Sequence, residues 1–296
     1  MVEPPVSRPA SSYAQGVDRA RAMAALDDDR ILPGARTVVL TGGERRPWAV
    51  VLLHGLTNHP GQFAEFGSLL EKAGCNVIIP RMPKHGYADR LTDALASLTA
   101  EELIATTGEA IDIACGLGER VGVLGISMGG LLSAYFGQCR SDISSAVPVG
   151  PDFGLLHLPQ AVTDTIAVVA RALPNVFLWW DPRIKAAQRP RTAYPRFATH
   201  ALMQTIRIGD AVRRYARTMP PLAGRIATVV NAVDPAVNNA AAKRVVELWR
   251  ARRADNIEYI EYTDLPENHD IIDPDNPLAR TDVVYPRLID ALGVGA

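Results

Sequence analysis

The stretch RVGVLGISMGGLLSAYFG, Arg120 to Gly137, constrains this chain more than any other. An apolar run breaks off at a serine between glycines, and an apolar, helix-compatible run follows at once. Leaving a strand and entering a helix within one residue forces Ser127 into a strained backbone conformation. Gly125 and Gly129, two positions either side, remove the side chains that would clash there. Such a turn projects the hydroxyl away from the sheet. The new helix aims its free N–H groups and its dipole at any anion that develops.

The rest of the chain repeats this alternation. TVVL, WAVVLLH, NVIIP, SSAVPVG, RIATVVNAVD and IEYIEYT read as further strands. GQFAEFGSLLEKAG reads as an amphipathic helix, with Phe63, Phe66, Leu69 and Leu70 at helical spacing. Thr99 to Leu117 reads as a helix opened by Thr99 and Glu102 in capping-box register. NNAAAKRVVELWRAR and PLARTDVVYPRLIDAL supply later helices. Apolar strands without strict polar alternation, separated by helices, predict a mostly parallel sheet covered on both faces.

Residues 1–30, rich in Pro, Ser and Ala and then in charge, read as a loosely attached arm. Residues 31–151 and 221–296 are the two parts of an α/β core. Residues 152–220 interrupt the rhythm with a helical, irregular pattern. Their place in the chain predicts a helical cap over the carboxyl ends of the strands, where ligands bind in open α/β sheets.

Composition excludes several classes of function. The 296 residues carry a formal net charge of −1, without the basic surplus that nucleic-acid binding asks for. No apolar run approaches the roughly 18 residues of a membrane span, and MVEPPVSRPASSYAQG has neither the basic nor the apolar region of a secretory signal. Cys75, Cys115 and Cys139 are odd in number and dispersed, as expected of free thiols in a reducing cytoplasm rather than of a disulfide or metal site.

A serine hydroxyl becomes a nucleophile only when a base removes its proton and a carboxylate orients that base. His54, His59 and His85 precede Ser127, and His157 and His200 fall within the expected cap. His269, in LPENHDIID, lies beyond the last strand and before the final helix, so chain order and loop position select it. For the acid, Asp234 follows the strand ATVVNAV directly, and Asp152, after SSAVPVG, is its rival. Two N–H groups should bind the oxyanion: Met128, next to the nucleophile, and Leu56, in the loop after WAVVLLH, with Thr57 second to it. His54 then holds that loop without transferring protons.

These residues resemble the α/β-hydrolase superfamily, and within it the carboxylesterase and monoacylglycerol-lipase group. LLHGLTNHPGQF resembles the group's oxyanion loop and following helix. GCNVIIPRMPKHG resembles its next strand and a loop usually written P-R-x-P-G-H-G, with Lys84 standing where glycine is usual. GISMGG, the D-P turn at Asp234 and His269 complete the set in order, from about Ala49 to the C-terminus. The resemblance implies the α/β-hydrolase fold and a serine hydrolase that cleaves small carboxylic esters through an acyl-enzyme, without metal or organic cofactor. It leaves Asp152 open, because some related enzymes place the acid there. It also leaves open a lactone, a thioester or a C–C bond as the target, and a non-catalytic binding protein as the contrasting class. Relatives acting on haloalkanes and epoxides place an aspartate where Ser127 stands.

Between Pro151 and Pro220 ten basic residues face four aspartates, beside the apolar run Val176-Phe177-Leu178-Trp179-Trp180. One reading makes the arginines a solvated face and packs the aromatics on the core. The other has Trp179 and Trp180 line an acyl pocket while arginines draw in anionic esters. Of the two groups the aromatics are expected to matter more, since burying a ring removes far more apolar area than an exposed charge gains in water.

Overall fold

A computed structural model describes residues 2–154, 173–188 and 192–295. Its organising element is the nine-residue strand β4 (Gly118–Ile126), buried from Val121 onward. Parallel partners flank it: β2 (Arg46–Leu53) on one side and β5 (Ser145–Val149) on the other. With β1 (Val38–Leu40), β3 (Asn76–Ile79), β8 (Arg225–Asn231) and β9 (Ile257–Tyr262) they form a seven-stranded sheet in the order β1-β3-β2-β4-β5-β8-β9. Only β1 runs antiparallel within it. The ladder from β5 to β8 pairs Ala146 with Ile226 and resumes at Val149 with Val229, passing over Val147 and Pro148, the latter having no N–H to give.

Successive side chains of a strand point to opposite faces, and here both faces are apolar. Val51, Leu53 and Val123 join one core with α3 (Ala100–Leu117), α4 (Met128–Cys139), α5 (Thr199–Thr218) and α6 (Asn239–Arg252). Val50, Leu52 and Leu124 join the other with α2 (Ala64–Lys72) and α7 (Thr281–Leu292). The expected capping box is present: Thr99 Oγ1 accepts the Glu102 N–H at 3.1 Å, and the Glu102 carboxylate accepts the Thr99 N–H at 3.0 Å. Among the described residues no helix is long and apolar enough to cross a membrane.

Two expectations are corrected. The N-terminal arm is not loosely attached: α1 (Tyr13–Ala24) packs along α3, and Val2, Ala10, Ala20 and Met23 are buried. Glycines make that approach possible. A methyl on Gly116 would sit 2.6 Å from the Ser12 oxygen, and one on Gly108 would sit 2.9 Å from Pro5. Asp112 fastens the segment, accepting the Arg8 N–H at 2.8 Å while Arg19 pairs with Glu109 at 2.7 Å.

The segment 152–220 is not uniformly a helical cap either. The run FLW forms β6 (Phe177–Trp179), an antiparallel ribbon with β7 (Arg196–Ala198). From there α5 turns down onto α4, and Ile208 and Val212 enter the main core. Residues 155–172 and 189–191 of the expected cap, including His157, lie outside the described residues.

Candidate active site

Ser127 sits between β4 and α4 with φ 58° and ψ −115°, a conformation that L-residues rarely adopt. Its neighbours explain how the chain tolerates it. A side chain at Gly129 would run into the Leu53 carbonyl, and one at Gly125 would sit 2.8 Å from the Leu53 Cβ. The Ser127 N–H donates to the Val149 carbonyl at 2.9 Å, fixing the turn against β5.

The loops after β8 and β9 bring Asp234 to His269. His269 Nδ1 lies 2.7 Å from Asp234 Oδ2, while Asp234 Oδ1 accepts the N–H groups of Ala236 at 2.8 Å and Val237 at 3.3 Å. An ionised carboxylate can only accept, so Nδ1 carries the proton and Nε2 is left as the basic nitrogen. The Asp234 side chain is 1 % exposed and the His269 side chain 23 %, so the acid is sealed while the ring stays accessible. Burial lowers the imidazole pKa. The hydrogen bond and charge of Asp234 raise it, as do the charges of Asp270 and Asp152, and the balance lies above the ordinary histidine value. Asp152 is buried in the same cavity, which pushes its carboxyl up to about 6, and its hydrogen-bond partner is the Thr205 hydroxyl at 3.4 Å. Of the two rival acids, Asp234 is the one bonded to the imidazole.

The loop after β2 supplies N–H groups opposite the elbow. The Gly55 carbonyl accepts both the Asn58 N–H at 3.1 Å and the His54 Nδ1–H at 2.9 Å. A trans peptide sets its N–H opposite its carbonyl, so these two bonds fix the direction of the Leu56 N–H. Gly55's own N–H is taken by Gln62 Oε1 at 2.9 Å. His54 Nε2 accepts the Met82 N–H at 3.1 Å, and burial with nearby His85 holds this imidazole well below its ordinary pKa. Both of its nitrogens are occupied, which matches the loop-holding role expected from the sequence. Met128 is the first residue of α4, where backbone N–H groups have no intrahelical acceptor.

Ser127, His269, Leu56 and Asp152 line one cavity of about 600 Å³. Trp180 and Phe197 form part of its apolar wall, their rings 4.3 Å apart, and the Trp180 indole N–H donates to the Thr57 hydroxyl at 2.9 Å. Trp179 is not in that lining, because alternate residues of a strand face opposite sides; its expected pocket role is corrected. The anion-attracting reading is also corrected for the described residues. Asp152, Glu267, Asp270 and Asp275 line the cavity against a single arginine, Arg90. Cap arginines pair elsewhere: Arg196 with Asp93, Arg207 with Glu101 and Arg214 with Asp210. Lys84 keeps the shape of the loop by adopting φ 67° itself, at a cost of about 1–2 kcal/mol for a side chain. Sequence reasoning did not find Gln62, Tyr194 or Asp270, all in the lining.

Residues 50–292 match the family model described as the alpha/beta hydrolase family. This chain belongs to the α/β-hydrolase family. A thermostable monoacylglycerol lipase of Bacillus sp. (strain H-257) is 26 % identical to this α/β-hydrolase over 180 residues, 60 % of this chain and 67 % of that protein. Among solved structures, one from a study of two metagenome-derived lipolytic enzymes superposes with a TM-score of 0.68 at 19 % identity, covering 89 % of this chain and 99 % of its own. A monoacylglycerol lipase from Paleococcus ferrophilus gives 0.65 at 18 %, covering 86 % and 97 %. At such identities the structures speak for the fold alone. The family match and the curated relative bear out the resemblance to the esterase and monoacylglycerol-lipase group.

Proposed function

We propose that this α/β-hydrolase cleaves carboxylic esters through an acyl-enzyme on Ser127. The observation that carries the reading is the 2.7 Å bond between His269 Nδ1 and the sealed Asp234 carboxylate, in one cavity with a serine on a strained strand–helix turn. Ser127 Oγ attacks the ester carbonyl carbon as His269 Nε2 takes its proton. Asp234 stabilises the imidazolium, and the N–H groups of Leu56 and Met128 receive the oxyanion. Collapse expels the alcohol, which takes the proton from His269. Water then attacks the acyl-enzyme by the same route and restores Ser127. No step calls for a metal or organic cofactor. The resemblance to monoacylglycerol lipases supports small, neutral lipid-like esters, with the acyl chain against Trp180 and Phe197. We place the reaction in the cytoplasm, a reading supported by three free cysteines.

A fluorophosphonate probe should label the wild-type protein at Ser127 and spare Ser127→Ala. In a screen of aryl esters of increasing acyl length, Ser127→Ala should lose about 10³-fold or more in kcat, because the three residues act as a unit. A folded wild-type protein that neither labels nor hydrolyses any ester of the series would overturn the proposal and favour a binding module.

A further inference from the structure

The elbow, the imidazole and the oxyanion loop stand on three different connections of the sheet, and the reaction needs them in fixed register. Gln62 links two of the three. It lies in the 3₁₀ turn Pro60–Phe63 ahead of α2, is 3 % exposed and lines the cavity. Its amide faces two groups of opposite demand. Oε1 accepts the Gly55 N–H at 2.9 Å, and Nε2 donates to Asp270 Oδ2 at 2.7 Å. Asn58 Nδ2 reaches the same Asp270 oxygen at 3.4 Å.

Asp270 directly follows His269 and is itself held. Its Oδ1 accepts the N–H groups of Ile272 at 3.2 Å and Asp273 at 3.1 Å. Its backbone carbonyl accepts Asn268 Nδ2 at 2.6 Å, and Asn231 Nδ2 at the end of β8 donates to the Asn268 carbonyl at 2.9 Å. A chain of hydrogen bonds therefore runs from the Gly55 N–H, one peptide before the Leu56 N–H, through Gln62 to the residue beside the imidazole.

We propose that Gln62 and Asp270 are positioning residues for ester hydrolysis, forming a strut that sets the Leu56 N–H and the His269 ring in mutual register across the cavity. The inference rests on the Ser127 reading and extends it. Only an amide fits between the two ends. Glutamate would present acceptors to the Asp270 carboxylate, and an apolar side chain would leave the buried Gly55 N–H without a partner. At the other end only a carboxylate fits. Asparagine at 270 must turn its NH₂ toward either the Gln62 NH₂ or the N–H groups of Ile272 and Asp273, so one end of the strut is lost. Among the described residues neither side chain bonds Ser127, the His269 ring or Trp180, so removal of the strut should slow turnover more than it weakens substrate binding.

The test compares wild type, Gln62→Met, Asp270→Asn and the double variant on one aryl ester, with melting curves to establish folding. Each single variant should lose about ten- to a hundredfold in kcat, below the loss of an entire oxyanion donor, with KM within about threefold. The double variant should be no slower than the worse single one, because both changes remove the same link. Fluorophosphonate labelling of Ser127 should slow in parallel. A folded Gln62→Met or Asp270→Asn with kcat within about twofold of wild type would overturn the strut, as would losses that multiply in the double variant. If Gln62→Met does not fold, Asp270→Asn alone decides by the same split between kcat and KM. Failure of the serine-hydrolase reading is distinguishable, since it would appear as an unlabelled, inactive wild-type protein before any variant is compared.

Discussion

Replacing Asp234 by asparagine changes one oxygen into an NH₂ and asks which way the new amide turns. The surroundings answer it. Oδ1 accepts two backbone N–H groups, from Ala236 and Val237, whereas Oδ2 accepts a single proton from His269. Turning the NH₂ toward the backbone would set donor against donor at two contacts, so it must face the imidazole. His269 Nδ1 then has to accept, its proton moves to Nε2, and the nitrogen that should receive the Ser127 proton is blocked. The same swap in a serine-protease triad costs about 10⁴ in kcat. That corresponds to about 5 kcal/mol of transition-state stabilisation at 1.36 kcal/mol per decade. Asp152→Asn alters a group whose contact is a 3.4 Å bond to Thr205, so its loss should stay within about tenfold. Steady-state hydrolysis of one aryl ester by wild type and the two variants measures both effects. An Asp234→Asn enzyme keeping more than a tenth of wild-type kcat, or a larger loss from Asp152→Asn, would refute the reasoning.

Trp180→Ala should reduce the preference for long over short acyl esters by about tenfold, since one lost pocket contact is worth roughly 1–3 kcal/mol. Trp179→Ala should leave the ratio of kcat/KM values unchanged, and equal effects from both would contradict the lining. Because His269 must be neutral to accept the serine proton, kcat/KM should fall as pH drops through its raised pKa. The acid limb of the profile should therefore lie above the ordinary value of 6.5, and a midpoint at or below it would count against the Asp234 pairing. Gly129→Ala places a methyl against the Leu53 carbonyl and should cut the yield of folded protein sharply, whereas Lys84→Gly relieves a left-handed side chain and should hold or raise Tm.

The strand-to-helix elbow was legible because two glycines and a serine leave the backbone few alternatives, and chain order then led to His269 and Asp234. The ribbon of β6 and β7 was not. Three apolar residues are too few to show a period, and the ribbon spreads them over both faces, leaving Leu178 exposed and Phe177 partly buried. The arm hid for a different reason: it packs through Gly16 and Ala20, small residues that leave no apolar stripe to read. Gln62 and Asp270 carry no signal of their own in the sequence. They are 208 residues apart, and their meaning appears only when the two loops meet.

The docking of α1 on α3 also fixes an order of events. Arg8 and its anchor Asp112 are 104 residues apart, and the phenol of Tyr135 reaches back to the Val2 carbonyl. During synthesis, at about 5–20 residues per second, the arm leaves the ribosome several seconds before the helix it binds exists. Its contacts with α3 can form only after that helix has been made. Contacts that form after the rate-limiting step act by slowing unfolding rather than by speeding folding. An arm docked in this way is expected to slow the opening of the finished hydrolase, through three glycines and one aspartate far from the chemistry.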